Sequence, residues 1–355
     1  MDIYLRSKVK IELGISTFGE TTILEKSKET FTHQQRIQQM IEEIKLADKV
    51  GLDIYAVGEH HREDFAVSSP EMILAAGAAV SKNIKLSSAV TVLSSNDPVR
   101  VYQNFAHVDA ISNGRAEIMV GRGSFTESFP LFGYDLNDYD ELFKGKLEML
   151  IKIKENKILN WKGKFTQSIN NKGIYPRALD MPIWVATGGN IESTIEIAKK
   201  GLPITYAIIG GNPLAFKRII EFYRAVGQQF GHKIDDLKVG AHFWGYVNEN
   251  KQKAQDDYFF PTKQLVDNVA KTRKSWKELD RDAYNNMISD QGAMIVGDVE
   301  LVAEKIIKII EELQLNRFLL HLPTGSMPHD DIMNAIKIYG EQVAPIVRNY
   351  FLNKK

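Results

Sequence analysis

The sequence predicts an α/β fold, a (β/α)8 TIM barrel with an insertion after strand 7, on three observations. Short apolar, β-branched runs alternate with longer amphipathic stretches along the 355 residues. That order gives parallel strands joined by right-handed crossovers. Eight such runs occur, the number that closes a barrel. Glycine-rich and polar motifs follow the runs at one end, whereas the connections at the other end (KVGLD, KKGLP, LQLNR) are plain.

Taken in order, strands are expected at 10–16, 53–57, 84–92, 116–120, 182–186, 203–209, 239–247 and 317–321. Helices are expected between them. Ile37, Ile41, Ile44, Ala47 and Val50 recur at steps of three and four, which marks one helical face. Ile332, Ile336, Tyr339, Val343 and Val347 do the same near the end. The stretch 248–294 breaks the rhythm. It is long, polar and irregular (KSWKELDRDAYNNMISDQG) and precedes a helix expected after Gly297. It reads as a lid or an added helical layer within a single domain, 1–355. In SPEMILAAGAAVS, the small residues from Ala75 to Ala79 let another helix approach closely, on this barrel or across a dimer interface.

Composition excludes several classes of function. Lys plus Arg and Asp plus Glu each number 45, so the formal net charge is zero. That balance argues against nucleic acid or an anionic membrane as the main partner. Hydrophobic residues make up 44%, enough to bury a large core without staples. The absence of cysteine removes disulfides, thiolate metal sites and thiol nucleophiles. MDIYLRSKVKIELG lacks a signal-like apolar run, and no apolar stretch approaches ~18 residues, so a soluble cytoplasmic protein is expected.

The motifs gather on one face. GEHH follows the second strand, SSNDP the third, GRGSF the fourth, ATGGN the fifth, IIGGNP the sixth and HLPTG the eighth. Carboxyl ends of parallel barrel strands open together, on the face that carries the active site. GEHHREDF holds the most titratable triplet: Glu59, His60 and His61. A metal site, an acid–base site and a salt-bridged loop pairing Glu59 with Arg62 compete to explain it. Metal is disfavoured and none is expected, because adjacent side chains in extended backbone point apart and H-E-x-x-H is absent.

GRGSFT is not a G-x-G-x-x-G fingerprint. In ATGGNIES, Gly188 and Gly189 precede Asn190 and Ser193 at a helix start, where backbone N–H groups suit an oxyanion. Arg122, ending the neighbouring strand, adds a charge. The competing reading is an ordinary N-capped turn. Aromatics crowd FPLFGYDLNDYDELF at 129–143 and HFWGY at 242–246, which suits a flat ring or an apolar substrate, or plain core packing.

Three long stretches, GLDIYAVGEHHREDFAVSSP, SAVTVLSSNDPVRVYQNFAHVDAISNGRAEIMVGRGSFTESFPLFG and PIWVATGGNIESTIEIAKKGLPI, resemble the bacterial-luciferase-like family of flavin-dependent monooxygenases. The resemblance covers essentially the whole chain. It is closest to an FMN-dependent subgroup sharing GEHH-x-x-DFAVSSP and GRGSFTESFPLFGYDL. It implies FMN, used as FMNH2, with molecular oxygen as co-substrate. A C4a-peroxyflavin would then oxygenate an apolar or aromatic small molecule. His60 matches the family's acid–base histidine, with Glu59 and His61 flanking and orienting it. Ala89–Val90 falls where the family often has a non-proline cis peptide near the flavin ring. Arg122, Gly188, Gly189 and Ser193 match the phosphate region, Ser124 and Phe125 the stretch beside the ring or ribityl chain, and Trp244 a ring wall. A separate NAD(P)H:flavin reductase and a homodimer are implied as partners. The alternatives are an FMN-dependent NAD(P)H oxidoreductase and a non-catalytic flavin-binding partner protein. Gly121 stands where the light-producing subunit carries a cysteine, so light emission is not expected and an aldehyde substrate is not assumed.

Overall fold

The computed structural model describes residues 11–123, 125–178, 180–274 and 276–354. Eight parallel strands form its centre: β1 (Glu12–Thr17), β2 (Ile54–Val57), β3 (Lys85–Ser88), β4 (Ala116–Gly121), β5 (Ile183–Thr187), β6 (Ile204–Ala207), β7 (Val239–Val247) and β8 (Arg317–His321). Each pairs with the next. β8 returns to β1, with Arg317 opposite Glu12 and His321 opposite Ser16, so the sheet closes. Every expected strand is present, although Lys10, the first residue of the 10–16 expectation, lies outside the described residues. The 84–92 strand is divided. Thr91–Val92 pairs with β4 as a separate piece, and the Ala89–Val90 peptide before it is cis.

Local sequence fixes the helix starts. α1 (His33–Lys49) begins with a capping box in which Thr32 and Gln35 satisfy each other's backbone N–H groups. Asp97, Asn190 and Asp298 cap Pro98–Ser112, Ile191–Lys199 and Val299–Leu313, each accepting the N–H three residues on. In α2 (Pro70–Val80), a Cβ added at Gly77 would lie 2.5 Å from Ile44 Cδ1 of α1. At that point the small-residue stripe serves packing within this barrel.

Ile54, Ala56, Ala89, Met119, Trp184 and Leu319 form an apolar cluster drawn from strands around the barrel. An ionic layer lies at the amino-terminal ends of the strands. Arg317 pairs with Glu12 at 2.6 Å and Glu117 at 2.8 Å, and lies 3.9 Å from the Trp184 ring. Lys85 reaches the same two carboxylates at 2.6 and 3.0 Å. Burial pushes the Glu12 carboxyl up, but the Arg317 and Lys85 charges outweigh it and hold Glu12 below the usual range.

The 248–294 stretch contains the helices Lys251–Asp257, Phe259–Thr272 and Arg281–Ile288. Ile295–Gly297 then pairs in parallel with the far end of β7. A second addition was not expected from sequence: Ile158–Trp161 and Ile169–Gly173 pair antiparallel ahead of β5. Among the described residues, no helix is long and apolar enough to cross a membrane.

Candidate active site

A cavity of about 220 Å³ opens at the carboxyl ends of the strands, between Phe18 after β1, the Glu59–His61 turn after β2, Ala89–Val90 after β3, Arg122 after β4 and Gly188 after β5. Close approach of these loops requires a glycine before the histidines. A Cβ at Gly58 would stand 2.2 Å from Phe18 Cδ1 and 2.8 Å from the Ala89 carbonyl oxygen.

His60 sits among three phenylalanines. Its ring stacks on Phe65 (4.3 Å, 25°) and meets Phe18 (4.7 Å, 71°) and Phe125 (4.9 Å, 86°) nearly edge-on. The carboxylate beside it is Glu127, whose Oε1 lies 3.8 Å from His60 Nδ1. Burial pushes the Glu127 carboxyl up, but His60 and backbone N–H groups outweigh it, leaving Glu127 below the usual carboxylate range.

Glu59 orients His61, not His60. It accepts from His61 Nε2 at 2.9 Å, from the Val92 N–H at 2.8 Å and from the Asn96 amide at 3.0 and 3.1 Å. Residues two apart in extended chain share a side, and neighbours do not. The Glu59–Arg62 pair is not formed either. Arg62 binds Asp64 at 2.8 and 2.9 Å and covers the Phe125 ring at 5.0 Å.

Arg122 lines this cavity and a neighbouring one of about 400 Å³; Ala186 and Thr187 border both. Its guanidinium binds the exposed Asp140 at 2.5 Å and lies 5.5 Å from the Tyr139 ring. A Cβ added at Gly188 would meet nothing within 4 Å, so the backbone there is open to a ligand. Gly189 turns the chain with φ +99°. Ser193 borders the neighbouring cavity, with its N–H committed to the Asn190 cap.

The structure therefore brings Glu59, His60, His61, Ala89, Val90, Arg122, Phe125 and Gly188 to one cavity. Trp244 is not on that wall; it is buried, 6.3 Å from Trp276. Ser124 lies outside the described residues. Sequence reasoning missed Phe18, Glu127 and Ser128, which also line the cavity; His242, which the sequence allows to reach the same face, lines it too. Glu127 stands two residues past Phe125 in GRGSFTES, and that nearness was the available signal.

Ser128 Oγ supplies a test of fit. It is buried without a hydrogen-bond partner among the described residues and lines the cavity, so it can bond a ligand atom or a water there. With apolar rings, the open backbone at Gly188 and a cation at Arg122, the donor set suits a flat phosphorylated cofactor such as FMN.

A family model described as luciferase-like monooxygenase matches residues 12–317. The alkanal monooxygenase alpha chain of Aliivibrio fischeri is 25% identical over 211 residues, and the match covers 59% of each chain. Monooxygenase RslO1 from Streptomyces bottropensis has the same fold, with a TM-score of 0.79 at 20% identity over 94% of this chain and 99% of that one. So does the FMN-bound oxygenating constituent of 3,6-diketocamphane monooxygenase from Pseudomonas putida, with a TM-score of 0.74 at 16% identity over 95% and 98%. Because the family match spans most of its length, the chain belongs to the luciferase-like, flavin-dependent monooxygenase family.

Proposed function

We propose that this chain is an FMN-dependent monooxygenase that takes the flavin reduced, as FMNH2, from a separate NAD(P)H:flavin reductase. Molecular oxygen is its co-substrate, and an apolar or aromatic small molecule its substrate. The observation that carries this reading is His60, placed on the cavity by three phenylalanines with Glu127 beside Nδ1.

Reduced FMN supplies the electrons and activates oxygen. The chain binds, orients, excludes water and moves protons. His60 takes or returns a proton at the cavity, with the Glu127 carboxylate 3.8 Å from its Nδ1. Phe18, Phe65 and Phe125 keep water from that exchange. Glu59 ties His61 to the Val92 N–H and thereby fixes the turn that carries His60. Ala89, Val90, Ser124 and Phe125 are assigned to the ring and ribityl chain; Arg122, Gly188, Gly189 and Ser193 are assigned to the phosphate.

Binding tests the phosphate assignment. A charge-assisted bond from Arg122 is worth about 1.5–3 kcal/mol, so FMN should bind about 10- to 100-fold more tightly than riboflavin. Arg122→Ala should abolish that difference, as read by flavin fluorescence quenching. Equal affinities in the unaltered protein would take Arg122 out of the phosphate site.

The 248–294 segment is assigned the role of lid. Arg273 packs 4.7 Å from the Phe125 ring, so this segment touches the cavity wall. FMN should slow limited proteolysis within 248–294; an unchanged cutting pattern would contradict the lid.

A further inference from the structure

Four polar residues from the β1, β7 and β8 regions play no part in the reading above: Ser16, Glu20, His242 and His321. Ser16, Glu20 and His321 are 1%, 0% and 1% exposed, so their polar atoms must be satisfied inside the protein. Ser16 Oγ is hydrogen-bonded to His242 Nε2, and to His321 Nδ1 at 3.1 Å. His321 Nε2 lies 2.9 Å from Glu20 Oε1. The other end of this chain, His242, lines the cavity.

We propose that His242 is a second acid–base group on the cavity, and that Ser16 passes its proton to a buried His321–Glu20 pair. The proposal rests on the cavity being the reaction site.

Glu20 sets the direction of every proton. Its Oε1 also accepts the Phe18 N–H (3.3 Å), and its Oε2 accepts the Thr17 hydroxyl (2.9 Å). That hydroxyl oxygen itself accepts from Arg36 Nη2 (3.2 Å) and the Gly19 N–H (3.1 Å), so its hydrogen points at Glu20. An ionised carboxylate can only accept. Burial pushes the Glu20 carboxyl up, but its hydrogen bond to His321 and the nearby Arg36 charge act against that, and Glu20 stays below the usual carboxylate range. His321 must then donate through Nε2, which leaves Nδ1 to accept the Ser16 hydroxyl. Ser16 Oγ in turn accepts the His242 Nε2–H. His242 Nδ1 has no partner among the described residues, and its lone pair is left for a ligand.

Proton transfer along this line balances. His242 Nδ1 takes a proton from an O–H, N–H or acidic C–H group of the molecule in the cavity. The His242 Nε2 proton moves to Ser16 Oγ, and the Ser16 hydroxyl proton moves to His321 Nδ1. The ligand has lost one proton, His242 and Ser16 are neutral again, and the positive charge rests on His321 against Glu20. Charge is better held there. Burial, and then the nearness of His321, push His242 down to about 3, whereas Glu20 offers His321 an opposite charge at 2.9 Å. Phe18 separates this relay from the other acid–base site, its ring 4.2 Å from His321 and 4.7 Å from His60.

The relay has a signature that needs no flavin. When His321 becomes doubly protonated, Ser16 must turn its hydroxyl toward His242 Nε2, and the His242 hydrogen must move to Nδ1. Nitrogen-15 histidine NMR of the full-length protein, titrated from about pH 9 to about pH 5, reads both rings. The ionisable groups facing the pair are Glu20, Arg36 behind it, Tyr258 against the His321 backbone and His60 across Phe18. Assignments come from His242→Gln and His321→Gln. The His242 switch from Nε2–H to Nδ1–H is expected in the same step as His321 protonation. Ser16→Ala should abolish the switch while His321 still protonates. Glu20→Gln removes the carboxylate bonded to His321 Nε2 and should move the switch to lower pH. A His242 that carries its hydrogen on Nδ1 throughout, or a switch that survives in Ser16→Ala, would overturn the relay. FMN binding, measured separately on the unaltered protein, tells a failure of the cofactor reading apart from a failure of the relay.

Discussion

His60→Ala is expected to slow substrate oxygenation by about 10²–10⁴-fold while FMN continues to bind, because that range is typical of a lost general acid–base group. The side chain touches the cavity but is held by Phe18, Phe65 and Phe125 rather than by the phosphate region, so its removal separates chemistry from cofactor affinity. Glu127→Gln keeps the shape and removes only the charge 3.8 Å from Nδ1; its effect should be in the same direction and smaller. Single-turnover rates, with FMN affinity measured by fluorescence quenching, read both quantities. An unchanged rate in His60→Ala would remove His60 from the chemistry and favour a flavin carrier.

Arg317→Met is expected to cost about 3–5 kcal/mol of folding stability, the usual range for removing one partner of a buried ionic group. Among the described residues, Glu12 and Glu117 would then keep only their ion pairs with Lys85, which is itself 41% exposed. The pH dependence has a defined sign. Glu12 has its carboxyl pKa lowered in the folded state, so its contribution is full above the ordinary glutamate value and is lost as the pH falls through the lowered one. The gap between the unaltered protein and Arg317→Met should therefore be widest at neutral pH and narrow in acid. Urea unfolding at both pH values measures it. A neutral-pH loss below about 1 kcal/mol, the scale of an exposed pair, would contradict a buried ionic floor.

The barrel was legible because its strands are written in apolar, β-branched residues. IYAV, AEIMVG and RFLLH are buried along their whole length, and each ends in a motif that the fold uses. The hairpin was not legible. INNKG has exposed asparagines and a lysine and carries no strand signal. The helices within 248–294 are short, and the polar text around them hides their faces from a periodicity argument.

At the site, the GEHH turn and the glycines after β5 could be found because each is contiguous. Their partners are distant in sequence. Glu127 lies 66 residues from His61, and Ser16 lies 226 residues from His242 and 305 from His321. Closure of β8 on β1 makes Ser16 and His321 neighbours, and pairing of β7 with β8 brings His242 beside them. The assignment of Glu59 to His61 was within reach, since the two-residue alternation that places His60 and His61 on opposite sides also separates Glu59 from His60.

The central claim is tested most directly by anaerobic titration of the protein with FMN, first oxidised and then reduced, followed by admission of air. Tighter binding of the reduced form, and a transient oxygenated-flavin spectrum without added NAD(P)H, is the result expected of a monooxygenase supplied by a separate reductase. Preference for oxidised FMN with no such transient, or reduction of the bound flavin by NAD(P)H alone, would contradict it.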